Sequence, residues 1–124
     1  MKKNNLFSSF KYAFNGIKSA FLRERNIKIH FFAMILVIIF GIFFKINQYE
    51  WITCIICFTL VIGSEMINTS IELCVDLAEP EINEKAKLSK DIAAGAVLLI
   101  AIFSAIIGGL IFVPKIVNFI LVII

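Results

Sequence analysis

The chain has 124 residues, 60% of them hydrophobic and 17% charged, with a mean hydropathy of +0.97. Soluble domains carry about 45–50% apolar residues even with glycine counted, and about 25% charged. This chain therefore has too little polar surface to cover a globule of its size. The same figures exclude intrinsic disorder and leave an integral membrane protein. A net charge of +3, from 12 basic and 9 acidic residues, is too balanced for a nucleic-acid binder.

From the N-terminus, Leu6, Phe10, Ala13, Phe14, Ile17 and Phe21 recur at steps of three and four, with Lys11, Asn15 and Lys18 on the other side. That spacing predicts an amphipathic helix over about 6–28. It fits a helix lying in the membrane interface, and equally one packed on protein. A secretory signal is not expected, because the first long apolar run starts about thirty residues in, with no small-residue cleavage site. Three apolar stretches follow, at about 29–46, 51–77 and 92–113. The last, at 1.5 Å per residue, is about 33 Å long, enough for a hydrocarbon core of about 30 Å. The first is short for a span, but extending it at either end brings it near the required length. Trp51 opens the second as an interfacial aromatic. Pro114 is expected to stop the third, leaving 114–124 as a short apolar tail, interfacial or packed against a partner. No internal repeat divides the chain, so 1–124 reads as one domain.

Lysine and arginine give an orientation. Lys2, Lys3, Lys11, Lys18, Arg23, Arg25 and Lys28 precede the first span, and Lys85, Lys87 and Lys90 precede the last. Only Lys45 and Lys115 fall on the opposite side. The excess places the N-terminus and the second loop in the cytoplasm, the side where ATP is found.

The chemistry-bearing feature lies in the second span. Glu65, Asn68, Glu72 and Asp76 are spaced by three, four and four, which confines them to about 80° of the helix surface. Thr69 lies beside them and Cys74 faces away. Intramembrane charges cost about 2.5–3.5 kcal/mol each on insertion scales, and these carboxylates have no counter-charge on their own helix. The favoured meaning is chemistry on a metal-bound ligand. A stripe that runs past the membrane surface into water would suit Asp76, and a proton or ion relay is a third possibility. Other constellations are weak. Cys54-x-x-Cys57 sits in an apolar run without a βαβ pattern, as small buried cysteines do. The single histidine, His30, excludes a His-rich metal site. Neither a P-loop, a kinase glycine loop, H-E-x-x-H nor a nucleophile elbow occurs.

Glu65-Met-Ile-Asn68-Thr-Ser-Ile-Glu72-Leu-Cys-Val-Asp76 resembles the E-x-x-N-[TS]-[AS]-I-E-x-x-x-D signature of prokaryotic diacylglycerol kinases and undecaprenol kinases. Lys90-Asp91-Ile-Ala-Ala-Gly-Ala-Val-Leu is similar to the family's second signature, K-D-x-x-[AS]-[AG]-A-V-L. Phe10-Lys-Tyr12-Ala-Phe-Asn-Gly16-Ile and Glu24-Arg-Asn26-Ile-Lys-Ile-His30 resemble the N-terminal helix of the Gram-positive branch. The likeness runs over about 6–115. It departs at Asn4 and Asn5, where relatives often carry a basic residue, and in Glu79-Pro-Glu-Ile-Asn83, which lacks a histidine common there.

The resemblance implies an all-α integral membrane homotrimer, with a surface helix and three spans per subunit and sites shared between subunits. Its activity would be transfer of the γ-phosphate of ATP, with Mg²⁺, to a membrane lipid alcohol. Undecaprenol is the favoured acceptor and diacylglycerol a possible one. The alternatives are a diacylglycerol kinase proper, or a non-catalytic membrane subunit with a cation-binding stripe. By the same resemblance Glu65 would be the base that meets the lipid hydroxyl, and Glu24 and Glu72 would hold Mg²⁺. Lys90 would contact phosphate with Asp91 beside it. Tyr12, Glu81, Ile82 and Asn83 would line the nucleotide site, and Asn68 and Asp76 would support the carboxylates. These types suit the chemistry. Mg²⁺ takes one or two carboxylates plus phosphate oxygens, and phosphoryl transfer asks the protein mainly for positioning and charge neutralisation.

Overall fold

A computed structural model describes residues 5–124, in four helices: α1 (Leu6–Arg23), α2 (Arg25–Phe43), α3 (Gln48–Ala78) and α4 (Glu84–Ile123). Lys2, Lys3 and Asn4, which entered the charge count and the N-terminal comparison, lie outside the described residues. The described chain is all-helical, and α2, α3 and α4 are each long and apolar enough to cross a membrane.

The amphipathic helix ends earlier than its periodicity implies. Glu24 is extended, with φ −95° and ψ 120°, and is the cap residue of both α1 and α2. Here the chain turns from a helix with one apolar face into one apolar all round, whose burial requirements differ. The Lys28 ammonium reaches back to the Leu22 carbonyl at 3.2 Å, satisfying an end-of-helix acceptor where positive charge suits the helix dipole. Only Ala20 of α1 is buried, while Leu6, Phe10, Phe14 and Ile17 remain exposed. The apolar face of α1 is thus left for lipid or for another chain to cover.

The turn after α2 is built from backbone. The Ile46 N–H bonds the Gly41 carbonyl at 3.1 Å and the Lys45 N–H bonds Ile42 at 3.2 Å, with Lys45 left-handed at φ 50°. This is a Schellman closure, and Ile46 is buried beneath it. Asn47 then opens α3 with a capping box: its side chain accepts from the Glu50 N–H at 3.0 Å, and the Asn47 N–H donates to Glu50 at 2.9 Å. Trp51 lies against Gly41, where any Cβ would stand 2.7 Å from the indole.

Helix α3 is the central element and contributes the buried residues Cys54, Cys57, Val61, Glu65, Asn68 and Thr69. Its main partner is α4, with α2 second. Its threonine hydroxyls are satisfied within the helix: Thr53, Thr59 and Thr69 donate to the carbonyls four residues back, at 2.8, 2.9 and 3.0 Å. A helix can carry such residues through lipid because none of them leaves a free donor.

Two ion pairs tie α3 to α4, Glu50 to Lys115 at 2.8 Å and Asp76 to Lys90. Glu50 and Asp76 are separated by about 39 Å of helix, and Lys90 and Lys115 by about 37 Å. The matched lengths set the antiparallel register. Both exceed a hydrocarbon core of about 30 Å, so the pairs bracket it.

Pro114 does not stop the last helix. Helix α4 runs unbroken through it to Ile123, so 114–124 is helical rather than a separate tail. Proline removes one N–H bond, the one to Leu110, and crowds that carbonyl. The turns beyond it are held by packing within the chain. Phe119 meets Phe43 and Phe44 of α2 edge-on, at 5.3 and 6.0 Å between ring centroids, and Lys115 is anchored on Glu50.

The contact between Gly41 and Trp51 is directly testable. Gly41→Val is expected to lower stability by about 1–3 kcal/mol through overpacking. Combining it with Trp51→Phe, which removes the crowding ring atoms, should cost less than the sum of the two single changes. Unfolding by denaturing detergent from mixed micelles, followed by far-UV circular dichroism, gives the comparison.

Candidate functional site

The acidic stripe forms because α3 is one unbroken helix from Gln48 to Ala78, so the three- and four-residue spacing becomes a single line of side chains. Glu65 is 3% exposed and Asn68 9%, while Glu72 is half-buried and Asp76 exposed. The stripe therefore grades from an enclosed carboxylate to a solvated one. Solvation accounts for Asp76 but not for Glu65.

Each member has a different neighbour. Nε2 of His30, on α2, lies 3.3 Å from Oε1 of Glu65. The Asn68 amide donates to Oε1 of Glu72 at 3.1 Å, and its own Oδ1 is buried without a partner. Asp76 holds the Lys90 ammonium. Hence the stripe finds an imidazole on α2 and a lysine on α4, although its own helix supplies no cation.

Glu65, Asn68, His30 and Asn26 line a pocket of about 280 Å³, closed on the α4 side by apolar residues including Val97 and Ala101. A second cavity, of about 600 Å³ and almost wholly apolar, lies between α2, α3 and α4, with Val37, Phe40, Val61, Gly108 and Phe112 among its walls. A polar chamber containing a buried carboxylate thus adjoins an apolar one, with His30 and Ala101 in the wall of both. Such a pair of chambers suits a molecule with a polar end and a hydrocarbon body.

The remaining sequence-predicted residues are more dispersed. Glu24 sits at the corner between α1 and α2, half-buried, and Tyr12 is exposed on α1. Glu81, Ile82 and Asn83 are exposed in the connection between α3 and α4. Asn83 has a structural task as well: its Oδ1 caps α4, accepting from Lys85 and Ala86 N–H groups at 2.9 and 3.3 Å. Asp91 is exposed one residue beyond Lys90. Among the described residues, no hydrogen bond or ion pair joins Tyr12, Glu24, Glu81 or Asp91 to the stripe.

Nor do three His, Cys, Asp or Glu side chains gather to hold a metal among the described residues. The donor set still fits a hard divalent cation whose sphere is completed by a substrate's phosphate oxygens, since such ions need only one or two protein carboxylates. The unpartnered Asn68 oxygen beside Glu72 is a further hard donor at that place.

His30 is the residue that sequence reasoning left without a task. Its signal was present but weak. With Asn26 it forms an i, i+4 polar pair at the start of an otherwise apolar helix, which places both on one face.

The Asp76–Lys90 pair is open to water, at 61% and 35% side-chain exposure, and exposed pairs contribute about 0–1 kcal/mol. Asp76→Asn should therefore change unfolding free energy by less than about 1 kcal/mol. A larger loss in detergent unfolding would mean that the pair is a structural clamp rather than a lysine held ready.

Residues 11–112 match the family described as prokaryotic diacylglycerol kinase. The chain is 39% identical over 112 residues to the undecaprenol kinase of Bacillus subtilis (strain 168), covering 90% of this chain and 91% of that protein. It is 37% identical over 115 residues to the diacylglycerol kinase of a Synechocystis strain, covering 92% of this chain and 66% of that one. With the diacylglycerol kinase of Helicobacter pylori (strain 26695) the identity is 32% over 104 residues, 84% of this chain and 81% of the relative.

Proposed function

The chain belongs to the prokaryotic diacylglycerol kinase family and is a membrane lipid kinase, and from that premise we propose that it transfers the γ-phosphate of ATP to undecaprenol in preference to diacylglycerol. The observation that carries this reading is the buried Glu65 in a polar pocket that shares His30 and Ala101 with a neighbouring apolar cavity. A lipid whose chain occupies the cavity presents its hydroxyl to that carboxylate. Glu65 takes the hydroxyl proton as the lipid oxygen bonds to the γ-phosphorus, and the bond from phosphorus to the β-γ bridging oxygen breaks with its electrons leaving on ADP.

The other residues bind and orient. Glu24 and Glu72 would hold Mg²⁺, which would supply neutralisation of the phosphate charge. Asn68 keeps Glu72 in place through its amide. Lys90 exchanges Asp76 for phosphate, a cheap exchange because the pair is exposed. Asp91 stands beside it, and Tyr12, Glu81, Ile82 and Asn83 form the nucleotide's surroundings. An acidic stripe on one helix, with Glu24 and Tyr12 set apart on another element, encloses a nucleotide only when a neighbouring subunit contributes. A homotrimer with shared sites supplies that enclosure. The excess of lysine and arginine before α2 and before α4 puts the N-terminus and the α3–α4 connection on the cytoplasmic side of the cell membrane.

The preference for undecaprenol is supported by the likeness to the Bacillus undecaprenol kinase over nine-tenths of both chains. Both lipids present a hydroxyl and differ in the bulk behind it, which apolar walls such as Phe21, Phe31 and Phe32 would sense. Discrimination by a methylene is only about 1–3 kcal/mol, so overlapping use is expected.

Purified protein in mixed micelles with labelled ATP, Mg²⁺ and both lipids should phosphorylate undecaprenol faster by kcat/KM and diacylglycerol measurably. A tenfold advantage for diacylglycerol would reverse the assignment, and transfer to neither would remove it. Glu65→Gln should lower kcat by at least about 10²-fold, as loss of a general base does, with Mg-ATP affinity nearly unchanged. Glu24→Gln and Glu72→Gln should each raise the Mg²⁺ concentration for half-maximal rate by about tenfold. Mixed oligomers of two inactive variants should regain activity if subunits share sites.

A further inference from the structure

We propose that His30 is a positioning residue for Glu65: from α2 it holds the carboxylate in the orientation that meets the acceptor hydroxyl. This rests on the reading of Glu65 as the base, and it adds a residue to which that reading gives no role. Nε2 of His30 stands 3.3 Å from Oε1, so that a turn of the imidazole brings its N–H onto that oxygen. Among the described residues the Glu65 carboxylate has no other ion pair or hydrogen bond. Thr69, one turn further along α3, is engaged with the Glu65 backbone carbonyl instead.

The surroundings make a single donor consequential. The pocket that contains both side chains holds no other ionisable group: α2 adds Asn26 and Ile29, α3 adds Asn68, and α4 adds only apolar side chains. The Asn68 amide is spent on Glu72. A buried carboxylate with several free rotamers points its oxygens wherever a donor or water offers itself. Tethering one oxygen to the imidazole leaves the second free to accept the substrate's proton. Because His30 also lines the apolar cavity, the tether sits where a lipid's polar end emerges from its hydrocarbon channel. The side chains lie on separate helices, so the α2–α3 packing is what sets the base.

Two replacements separate a donor from a filler. His30→Gln keeps an N–H at a similar reach and loses the ring. His30→Phe keeps a ring of similar volume and loses the donor. With undecaprenol and Mg-ATP, His30→Phe is expected to lower kcat at least tenfold, with KM for both substrates within about twofold of the parent. His30→Gln should recover kcat to within about threefold. In the Glu65→Gln background, His30→Phe should add no further loss, because a positioning residue has nothing left to position.

Equal loss in the Phe and Gln variants, rescue by Phe rather than Gln, or a loss that multiplies fully with Glu65→Gln would overturn the proposal. An effect on the KM of the lipid alone would assign His30 to acceptor binding and overturn it too. Far-UV circular dichroism and Mg-ATP binding check that each variant is folded, and if the Phe variant is not, His30→Ala takes its place. Absence of lipid phosphorylation in the parent protein would instead count against the kinase reading. The two failures are thus distinguishable.

Discussion

Everything of consequence is arranged around a carboxylate withdrawn from water in the middle of an apolar bundle. Glu65 is almost fully buried on α3, and an ionised carboxylate without partners in such surroundings is far more costly than the few kcal/mol that hold a domain together. The fold meets this cost locally. The His30 imidazole comes from α2, and a small polar pocket surrounds both groups. Stability argues for an apolar residue at position 65, so a glutamate there is an argument from chemistry.

The rest of the bundle makes that pocket possible by fixing how α2, α3 and α4 are rotated and how far each slides along the others. The half-buried Glu50–Lys115 pair limits sliding of α4 along α3 at one end, while the exposed Asp76–Lys90 pair adds little to that at the other. At the Glu50 end, the capping box, the Schellman turn and the Trp51–Gly41 contact weld α2 to α3 through three short-range devices. Phe119 then ties the far end of α4 to the same corner. The opposite end is looser, with an exposed connection over 79–83 and an open Asp76–Lys90 pair. Rigidity at one end and openness at the other match the proposed reading, in which one end keeps helices aligned in lipid and the other would admit a nucleotide and its cation.

Most of α1 is exposed, the spans show large apolar residues outward, and the predicted nucleotide residues are scattered. Lipid accounts for the apolar surface of the spans. It does not account for Glu24 and Tyr12 standing apart from Glu72 and Lys90. On the proposed reading, chemistry that uses them together would draw on a second chain to bring them there.

From the sequence alone came the membrane class, the number of spans, the amphipathic first helix and the stripe of Glu65, Asn68, Glu72 and Asp76. All of these follow from composition and from the helical repeat, which act within a few residues along the chain. The same local reasoning misjudged two boundaries. Glu24, with neither glycine nor proline beside it, breaks the first helix because the chain must turn there. Pro114, a strong local breaker, is overridden by Phe119 and Lys115 packing on the corner of α2 and α3. Which residue faces Glu65 was likewise beyond the sequence. Periodicity places His30 on a face of α2 but says nothing of what that face meets, and Lys90 was as free to wait for phosphate as to hold Asp76. Those pairings depend on the rotation and register of one helix against another, and only the packed bundle sets them.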